Sequence, residues 1–320
     1  MTLSTTSASS ASSTNLSQSA GITPPSNYIG RFAPSPSGPL HFGSLVCALA
    51  SYLDAKANRG KWLVRIEDID PPREQAGADE CILESLQSHG LYWDDEVMYQ
   101  STRGNAYISA LSKIERMGLS YFCTCNRKRL AALGACYDGK CRNQIHRPEQ
   151  AASVRLNSEL ALSRTDQHVL VHDEIQGTIN EDFRHTGDMV IHRKDGLFAY
   201  QLAVSVDDIA QNITHVVRGC DLLETTPKQV LIMNILKGKV PKYAHIPVIV
   251  DSTGRKLSKQ NHAPAIDNCH AIKNLRRACS ALALEPPADL SERETLLHWA
   301  IGAWNIQRLK NQRQIDEAKS

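Results

Sequence analysis

Residues 28–44 read YIGRFAPSPSGPLHFGS, and the architecture of the chain follows from this segment. Its first six residues predict a short buried strand, and a loop rich in proline, serine and glycine comes next. From Leu40 to Leu53 apolar residues recur at helical spacing, so we expect a helix with Pro39 in its first turn and an end near Gly60. Residues 62–66 predict a second buried strand. Strand, helix and strand in this order form a crossover unit, which predicts the parallel sheet of an α/β nucleotide-binding fold.

Farther along, the sequence predicts that an insertion interrupts this α/β domain. Four of its nine cysteines fall within residues 123–141, and a polar stretch with strand patterns continues to residue 187. Strand patterns are also present at 189–191, 213–217 and 246–250, and helical patterns at 76–89, 102–117 and 226–238. We therefore predict a Rossmann-like catalytic domain over 28–119 and 188–250, an inserted subdomain over 120–187, and a polar loop with a helical segment over 251–320. Residues 1–27 are mostly Ser, Thr and Ala without Lys or Arg, and predict a disordered tail.

Composition excludes several classes of protein. The 320 residues carry a net charge of +2, which is small for a protein that wraps long nucleic acid, so any RNA contact is expected to be local and DNA is not expected as a partner. No apolar run approaches the roughly 20 residues that span a bilayer. Without a secretory signal and with an odd number of cysteines, the chain is expected in the cytoplasm, with no membrane partner. The P-loop motif Gly-x-x-x-x-Gly-Lys-Ser/Thr is absent, which excludes a P-loop ATPase.

Ligands of parallel α/β sheets bind beyond the carboxyl ends of the strands. The predicted sheet places three segments there: the loop 31–44, residues 67–68 and residues 218–219. A helix amino terminus with free N–H groups follows the loop, and it favours phosphate binding. His41 can donate to a phosphate oxygen, and Gly43 allows close approach of an adenine ring. A second basic loop, Lys-Leu-Ser-Lys at 256–259, carries two mobile positive charges suited to a triphosphate.

Together, HFGS at 41–44 and KLSK at 256–259 resemble the two motifs of class I aminoacyl-tRNA synthetases. GRFAPSPSG at 30–38 and RIEDIDP at 65–71 resemble the glutamyl branch of that class. The resemblance covers most of 28–262 and implies ATP and L-glutamate as substrates, with Mg²⁺ on the phosphates. It further implies catalytic roles for His41, Lys256 and Lys259, and ATP binding by His41, Gly43 and Lys259. Gln260 departs from the motif, because many members of the class have serine at this fifth position.

For the amino acid, the fork of the Arg31 guanidinium suits bidentate pairing with a side-chain carboxylate, and Glu67 suits an ammonium group. An exposed ion pair is the alternative role of Arg31. By resemblance to the glutamyl branch, the residues expected to bind glutamate are Arg31, Phe32, Ala33, Pro34, Ser35, Glu67, Tyr200 and Arg218.

The cysteine cluster predicts a zinc site, because zinc takes four ligands and prefers thiolates. Cys123, Cys125 and Cys141 supply three ligands, and general chemistry favours Cys136 as the fourth. The glutamyl branch instead follows Cys-x-Cys with Tyr-x-x-x-Cys, which Tyr137 and Cys141 match. By that resemblance we expect Cys123, Cys125, Tyr137 and Cys141 to hold one structural Zn²⁺ per chain. A more remote fourth ligand is His146, and metal-free thiols are the remaining alternative.

Glutamyl-tRNA synthetases continue for more than a hundred residues into helical anticodon-binding domains, which we do not expect in this chain. The chain thus resembles the short paralogues of those enzymes, and its spacing of eleven residues between Cys-x-Cys and Tyr137 fits them as well. That family activates glutamate without tRNA and transfers it to the queuosine base at the wobble position of tRNA(Asp). Two alternatives remain: a minimal glutamyl-tRNA synthetase that charges a tRNA 3′ end, and a non-catalytic tRNA-binding paralogue.

Overall fold

The computed structural model describes residues 1, 26–134, 136–165, 169–257 and 263–317. Strand β1 (Ile29–Phe32), helix α1 (Phe42–Ala57) and strand β2 (Lys61–Ile66) confirm the predicted crossover, with β1 and β2 paired in parallel. Helix α1 begins later than expected: Pro39 lies in the preceding loop and His41 is the N-cap. The helix ends at Ala57, before Gly60. Most of the predicted tail lies outside the described residues.

The remaining elements include the three other predicted helices, whose bounds agree with the prediction to within a few residues. They are α2 (Ala78–Ser88), β3 (Met98–Tyr99), α3 (Gly104–Arg116), β4 (Ser120–Cys123), α4 (Arg127–Ala132), β5 (Ser153–Leu156), α5 (Ser158–Arg164), β6 (Leu170–Asp173), β7 (Gly177–Asn180), α6 (Phe183–Thr186), β8 (Val190–His192), α7 (Tyr200–Ala210), β9 (His215–Gly219), α8 (Thr226–Leu236), β10 (Lys242–Ile246), β11 (Val248–Val250), α9 (Ala271–Ala281), α10 (Arg293–Ala303) and β12 (Gln314–Asp316). Residues 200–210 were not among the predicted helices.

Parallel strands form the centre of the molecule. Strands β1, β2 and β3 make one parallel sheet, and β9, β10 and β6 make another, with β7 antiparallel on its edge. Strand β1 lies beside β9, where the amide of Thr214 donates to the carbonyl of Ile29 at 2.9 Å. The carboxyl ends of β1 and β9 therefore open on the same side, which confirms the parallel α/β architecture expected from the sequence.

The segment between α3 and α7 builds a separate antiparallel sheet in the order β4-β5-β8. The predicted return to the parallel sheet at residues 189–191 is wrong, because β8 pairs with β5. Strand β6, within the predicted insertion, instead pairs with β10 of the parallel sheet. Strand pairing thus crosses the predicted boundary at 187/188 in both directions, and the domain division stays a prediction.

After residue 268 the structure is only partly helical. The terminal segment was expected to be helical, and its helices α9 and α10 pack on α1. Strand β12 was predicted to be helical, but it pairs in parallel with β11. Among the described residues, every helix is too short or too polar to span a bilayer.

Candidate active site

A cavity of about 500 Å³ lies at the carboxyl ends of β1 and β9. The loop after β1, the start of α1 and the segment from β10 to Leu257 form its walls. Ten of the predicted site residues line this one cavity: Arg31, Phe32, Ala33, Pro34, Ser35, His41, Gly43, Tyr200, Arg218 and Lys256. Glu67 is buried behind the loop, where its amide donates to the carbonyl of Pro34 at 3.0 Å. Lys259 lies outside the described residues.

The amino terminus of α1 forms one end of the cavity. His41 caps the helix from outside rather than lying in its first turn, and its Nδ1 accepts from the amide of Ser44 at 3.2 Å. Position 43 is narrow, because a Cβ there would lie 3.3 Å from the His41 ring. Glycine at this position therefore keeps the capping ring and the helix terminus close together, and the N–H groups of a helix terminus suit a phosphate oxygen.

Lys256 approaches this end from the polar loop. Its Nζ forms an ion pair with a carboxylate oxygen of Asp221, which also lines the cavity. The antiparallel bridge between Val250 and Lys256 closes the intervening turn, so the lysine begins the second motif at the cavity wall. His41, Gly43 and Ser44 of the first motif and Lys256 and Leu257 of the second thus border the same cavity.

A buried cluster of charges holds Arg31 at the wall of the cavity. Nε and Nη2 of Arg31 each donate to an oxygen of Asp208 at 3.2 Å, and Nη2 of Arg65 donates to Asp208 at 2.6 Å. Burial would raise the pKa of Asp208, but the two guanidinium groups outweigh it and lower the pKa to about 2. The Nε–Nη2 edge of Arg31 is therefore committed to the protein. A ligand carboxylate can pair only with the other edge, formed by Nη1 and the second N–H of Nη2.

Glu67 and Tyr200 lie near this cluster. Burial raises the pKa of Glu67 to about 7, although the charges of Arg65 and Arg31 oppose the change. Oε1 of Glu67 is buried and accepts no hydrogen bond from the described residues. Burial, followed by the charge of Glu67, raises the pKa of Tyr200 to about 12. Nη2 of Arg65 lies 3.8 Å from this oxygen, within ion-pair distance but beyond a hydrogen bond. A buried carboxylate oxygen without a hydrogen-bond donor matches the ammonium group of an amino acid.

Arg218 is the penultimate residue of β9, and it lines the cavity. Its Nε donates to Nε2 of His245 at 3.0 Å, and its Nη2 donates to the hydroxyl of Thr226 at 2.8 Å. The sequence analysis missed His245 and Asp208 as partners of the site arginines. No local pattern in the sequence links Asp208 to Arg31 or His245 to Arg218.

The predicted metal ligands lie together in the antiparallel sheet region. The sulfurs of Cys123, Cys125 and Cys141 lie within 4.8 Å of one another, and the Tyr137 hydroxyl lies 3.5 Å from Cys123 and 3.7 Å from Cys125. Zn–S bonds of about 2.3 Å in a tetrahedron separate two sulfurs by about 3.8 Å, and Cys125 and Cys141 are 3.7 Å apart. Cys136 turns away, with its sulfur 3.5 Å from the carbonyl of Arg184. The three thiols of Cys123, Cys125 and Cys141 and the Tyr137 hydroxyl could therefore hold a tetrahedral metal.

The backbone around Tyr137 requires glycine at position 187. Gly187 has φ +70°, and a Cβ there would lie 2.7 Å from the amide nitrogen and 2.9 Å from the carbonyl oxygen of Tyr137. On its other side, Tyr137 stacks against the guanidinium of Arg155, 4.0 Å from the ring centroid. The tyrosine is thus fixed with its hydroxyl towards the thiols.

Comparison with known proteins gives the class to which this fold and cavity belong. Residues 29–279 match the family model of the class I tRNA synthetases (E and Q), catalytic domain. The fold is similar to that of a glutamate tRNA ligase from Elizabethkingia meningosepticum, with a TM-score of 0.73 at 24% identity over 92% of this chain and 68% of that one. The chain is therefore a ligase of the class I aminoacyl-tRNA synthetase type.

Curated relatives narrow this class further. A glutamyl-Q tRNA(Asp) synthetase from Photobacterium profundum is 46% identical over 296 residues, which cover 92% of this chain and 94% of the relative. One from Escherichia coli K12 is 51% identical over 283 residues, or 87% of this chain and 89% of the relative. The chain belongs to the family of the glutamyl-Q tRNA(Asp) synthetases.

Proposed function

We propose that this protein activates L-glutamate with ATP to form glutamyl-adenylate, and transfers the glutamyl group to the queuosine base at the wobble position of tRNA(Asp). The observation that carries the proposal is the convergence of two arginines with the α1 terminus and Lys256 on one cavity. The names of the curated relatives support the same acceptor.

The glutamate end of the cavity supplies complementary charges. The outer edge of Arg31 receives the side-chain carboxylate, and Glu67 receives the α-ammonium group. Because the ammonium pairs with the ionised carboxylate, its arrival lowers the raised pKa of Glu67 and keeps that group charged. Arg218, whose guanidinium donates to His245 and Thr226, pairs with an anionic oxygen of the substrate. This arrangement selects an amino acid that carries a second carboxylate.

In the activation step, an oxygen of the α-carboxylate attacks the α-phosphorus of ATP, and the bond to the β,γ-diphosphate breaks to release pyrophosphate. His41 and the α1 amino terminus stabilise the developing phosphate charge, and Lys256 and Lys259 neutralise the departing pyrophosphate. Mg²⁺ bound with ATP would supply further positive charge to the phosphates. Positioning and charge stabilisation carry the rate, and no enzyme-bound covalent intermediate is needed.

In the transfer step, a hydroxyl of the queuosine ring attacks the carbonyl carbon of the adenylate. The acyl–phosphate bond breaks, AMP leaves, and an ester joins glutamate to the base. We further propose that Cys123, Cys125, Tyr137 and Cys141 hold one Zn²⁺. Bound there, zinc would supply folding energy to the inserted subdomain rather than chemistry.

Two measurements test the proposal. Glutamate-dependent exchange of labelled pyrophosphate into ATP, without tRNA, is expected; its absence favours the non-catalytic paralogue. Labelled glutamate should then be recovered, after nuclease digestion of charged tRNA(Asp), in the anticodon fragment. Label on the 3′-terminal nucleotide would establish a minimal glutamyl-tRNA synthetase instead. As a control, tRNA(Asp) that lacks queuosine should accept no label.

A further inference from the structure

Three adjacent strands bring buried polar side chains into one row behind the cavity. His245 of β10 lies directly opposite Arg218 of β9, and β10 in turn pairs with β6, which ends at Asp173. The side chains of Asp173 and His245 are fully buried, and neither lines the cavity. Nδ1 of His245 lies 2.5 Å from Oδ2 of Asp173, and Nε2 lies 3.0 Å from Nε of Arg218.

The partners in these hydrogen bonds determine which nitrogen of the His245 imidazole carries the proton. An arginine can only donate, so Nε2 of His245 must accept from Arg218 and Nδ1 must carry the proton. Burial would raise the pKa of Asp173, but its hydrogen bonds with His245 and the backbone lower it, so it stays an acceptor. Its Oδ1 accepts from the amides of Ile175, Gln176 and His245. The carboxylate is therefore fixed, and it selects one tautomer.

This row leaves one nitrogen of Arg218 for a ligand. Nε is held by His245 and Nη2 by Thr226, whereas Nη1 is buried and has no acceptor among the described residues. An unpaired buried donor is costly, particularly on a charged group. The chain thus holds the NH₂ group of Nη1 desolvated and without an acceptor, on an arginine that lines the cavity.

We propose that Asp173 and His245 are positioning residues for the amino-acid site, which fix the Arg218 guanidinium so that Nη1 meets an anionic oxygen of glutamate or its adenylate. The inference rests on the proposed function and adds two residues to it. They act through Arg218 and do not touch the substrate, so their removal should weaken glutamate binding and leave ATP binding intact.

Asp173→Asn tests the tautomer directly. The backbone amides at Oδ1 should hold the carbonyl oxygen of the asparagine, which turns its NH₂ group towards Nδ1 of His245. Nδ1 must then accept, so Nε2 carries the proton and opposes the N–H of Arg218. We expect the KM and the calorimetric Kd for glutamate to rise about tenfold to a hundredfold, as for other small displacements of binding groups. The KM for ATP should stay within about twofold.

Two substitutions of His245 provide a second route if Asp173→Asn does not fold. In His245→Gln, the side-chain carbonyl of the glutamine can reach the place of Nε2 and accept from Arg218. In His245→Asn, the shorter side-chain amide reaches only the place of Nδ1. Glutamine should therefore retain more glutamate affinity than asparagine. His89→Asn is the matched control, because His89 is equally buried, with Nδ1 2.7 Å from the carbonyl of Ser85 and Nε2 3.1 Å from Asn274.

Failure of this inference can be told apart from failure of the proposed function. Wild-type protein without glutamate-dependent pyrophosphate exchange would overturn the proposed function, and the inference with it. If the wild type is active, folded Asp173→Asn and His245→Asn proteins with wild-type glutamate constants would refute the positioning role alone. Equal rises in the glutamate and ATP constants, or an equal effect of His89→Asn, would refute it as well.

Discussion

Asp208→Asn removes the one carboxylate that Arg31 and Arg65 share inside the protein. The pKa of this group falls from its ordinary 3.8 to about 2 in the folded chain, and this difference corresponds to about 2 kcal/mol of net stabilisation. Breaking a buried ion pair from one side typically costs about 3–5 kcal/mol, because the remaining charge stays buried. We therefore expect the substitution to lower the free energy of unfolding at pH 7 by about 2–4 kcal/mol.

The same pKa gives the pH dependence of the wild-type protein. A carboxylate with a lowered folded-state pKa contributes stability that is fully present above its unfolded pKa near 4 and is lost as pH falls towards 2. The difference in stability between wild type and Asp208→Asn should therefore narrow across this window. Urea unfolding at several pH values, followed by tryptophan fluorescence, measures both quantities.

Activity gives a second measure of this substitution. Arg31 should lose its fixed orientation, so the KM for glutamate should rise about tenfold while that for ATP stays nearly constant. Asp207→Asn is the matched control, because Asp207 is the buried neighbour on α7 whose oxygens accept from Gln100, Arg103 and Tyr107. It should lower stability without changing the KM for glutamate. An Asp208→Asn protein as stable as the wild type, or with the two constants raised equally, would refute this reasoning.

Three more predictions concern the arginine fork, the buried glutamate and the metal. Arg31→Leu should raise the KM for glutamate about 100-fold with little change in the KM for ATP, because it removes charge-assisted hydrogen bonds to the substrate side chain. Pyrophosphate-exchange kinetics measure both constants, and equal rises in the two would refute this role. Because the pKa of Glu67 is about 7, the KM for glutamate should fall as pH rises through 7. The free protein should lose stability between about pH 4.5 and pH 7, where this group ionises in the unfolded chain but stays protonated in the folded one. Glu67→Gln should abolish both trends, and a persistent trend would assign them to another group. Purified protein should contain one zinc per chain by atomic absorption. Cys125→Ser and Tyr137→Phe should weaken zinc binding and unfold the 120–150 region, whereas Cys136→Ser should not; loss of zinc from Cys136→Ser alone would reverse the choice of ligand.

The sequence predicted best where the structure depends on local pattern. The crossover from β1 through α1 to β2 follows from apolar spacing and from loop residues that occur together, and the structure confirms it. The cysteine cluster is equally local, because its four predicted ligands fall within nineteen residues. The first motif also correctly predicted that a helix begins there, although His41 is the N-cap and lies one position before the helix.

Partners that are distant in sequence could not be predicted in this way. Asp173 and His245 are 72 residues apart, and only the pairing of β6 with β10 brings them together. Helix α7 was missed because two adjacent aspartates interrupt its apolar pattern, and their reason is tertiary: each carboxylate meets buried cationic or hydroxyl groups from other elements. Strand β12 has three residues, too few for any periodicity, and its conformation depends on the edge that β11 offers.

The pairing of β12 with β11 has a practical consequence for handling this enzyme. Val250 is the last residue of β11 and also bridges to Lys256. Strand β12, through its pairing with β11, therefore supports the segment that carries the second nucleotide motif. A purification tag fused directly after Asp316, or a shortened version that stops before Gln314, would disturb a strand two pairings away from Lys256. Fusions are better placed ahead of Tyr28, at the opposite end of β1 from the substrate cavity.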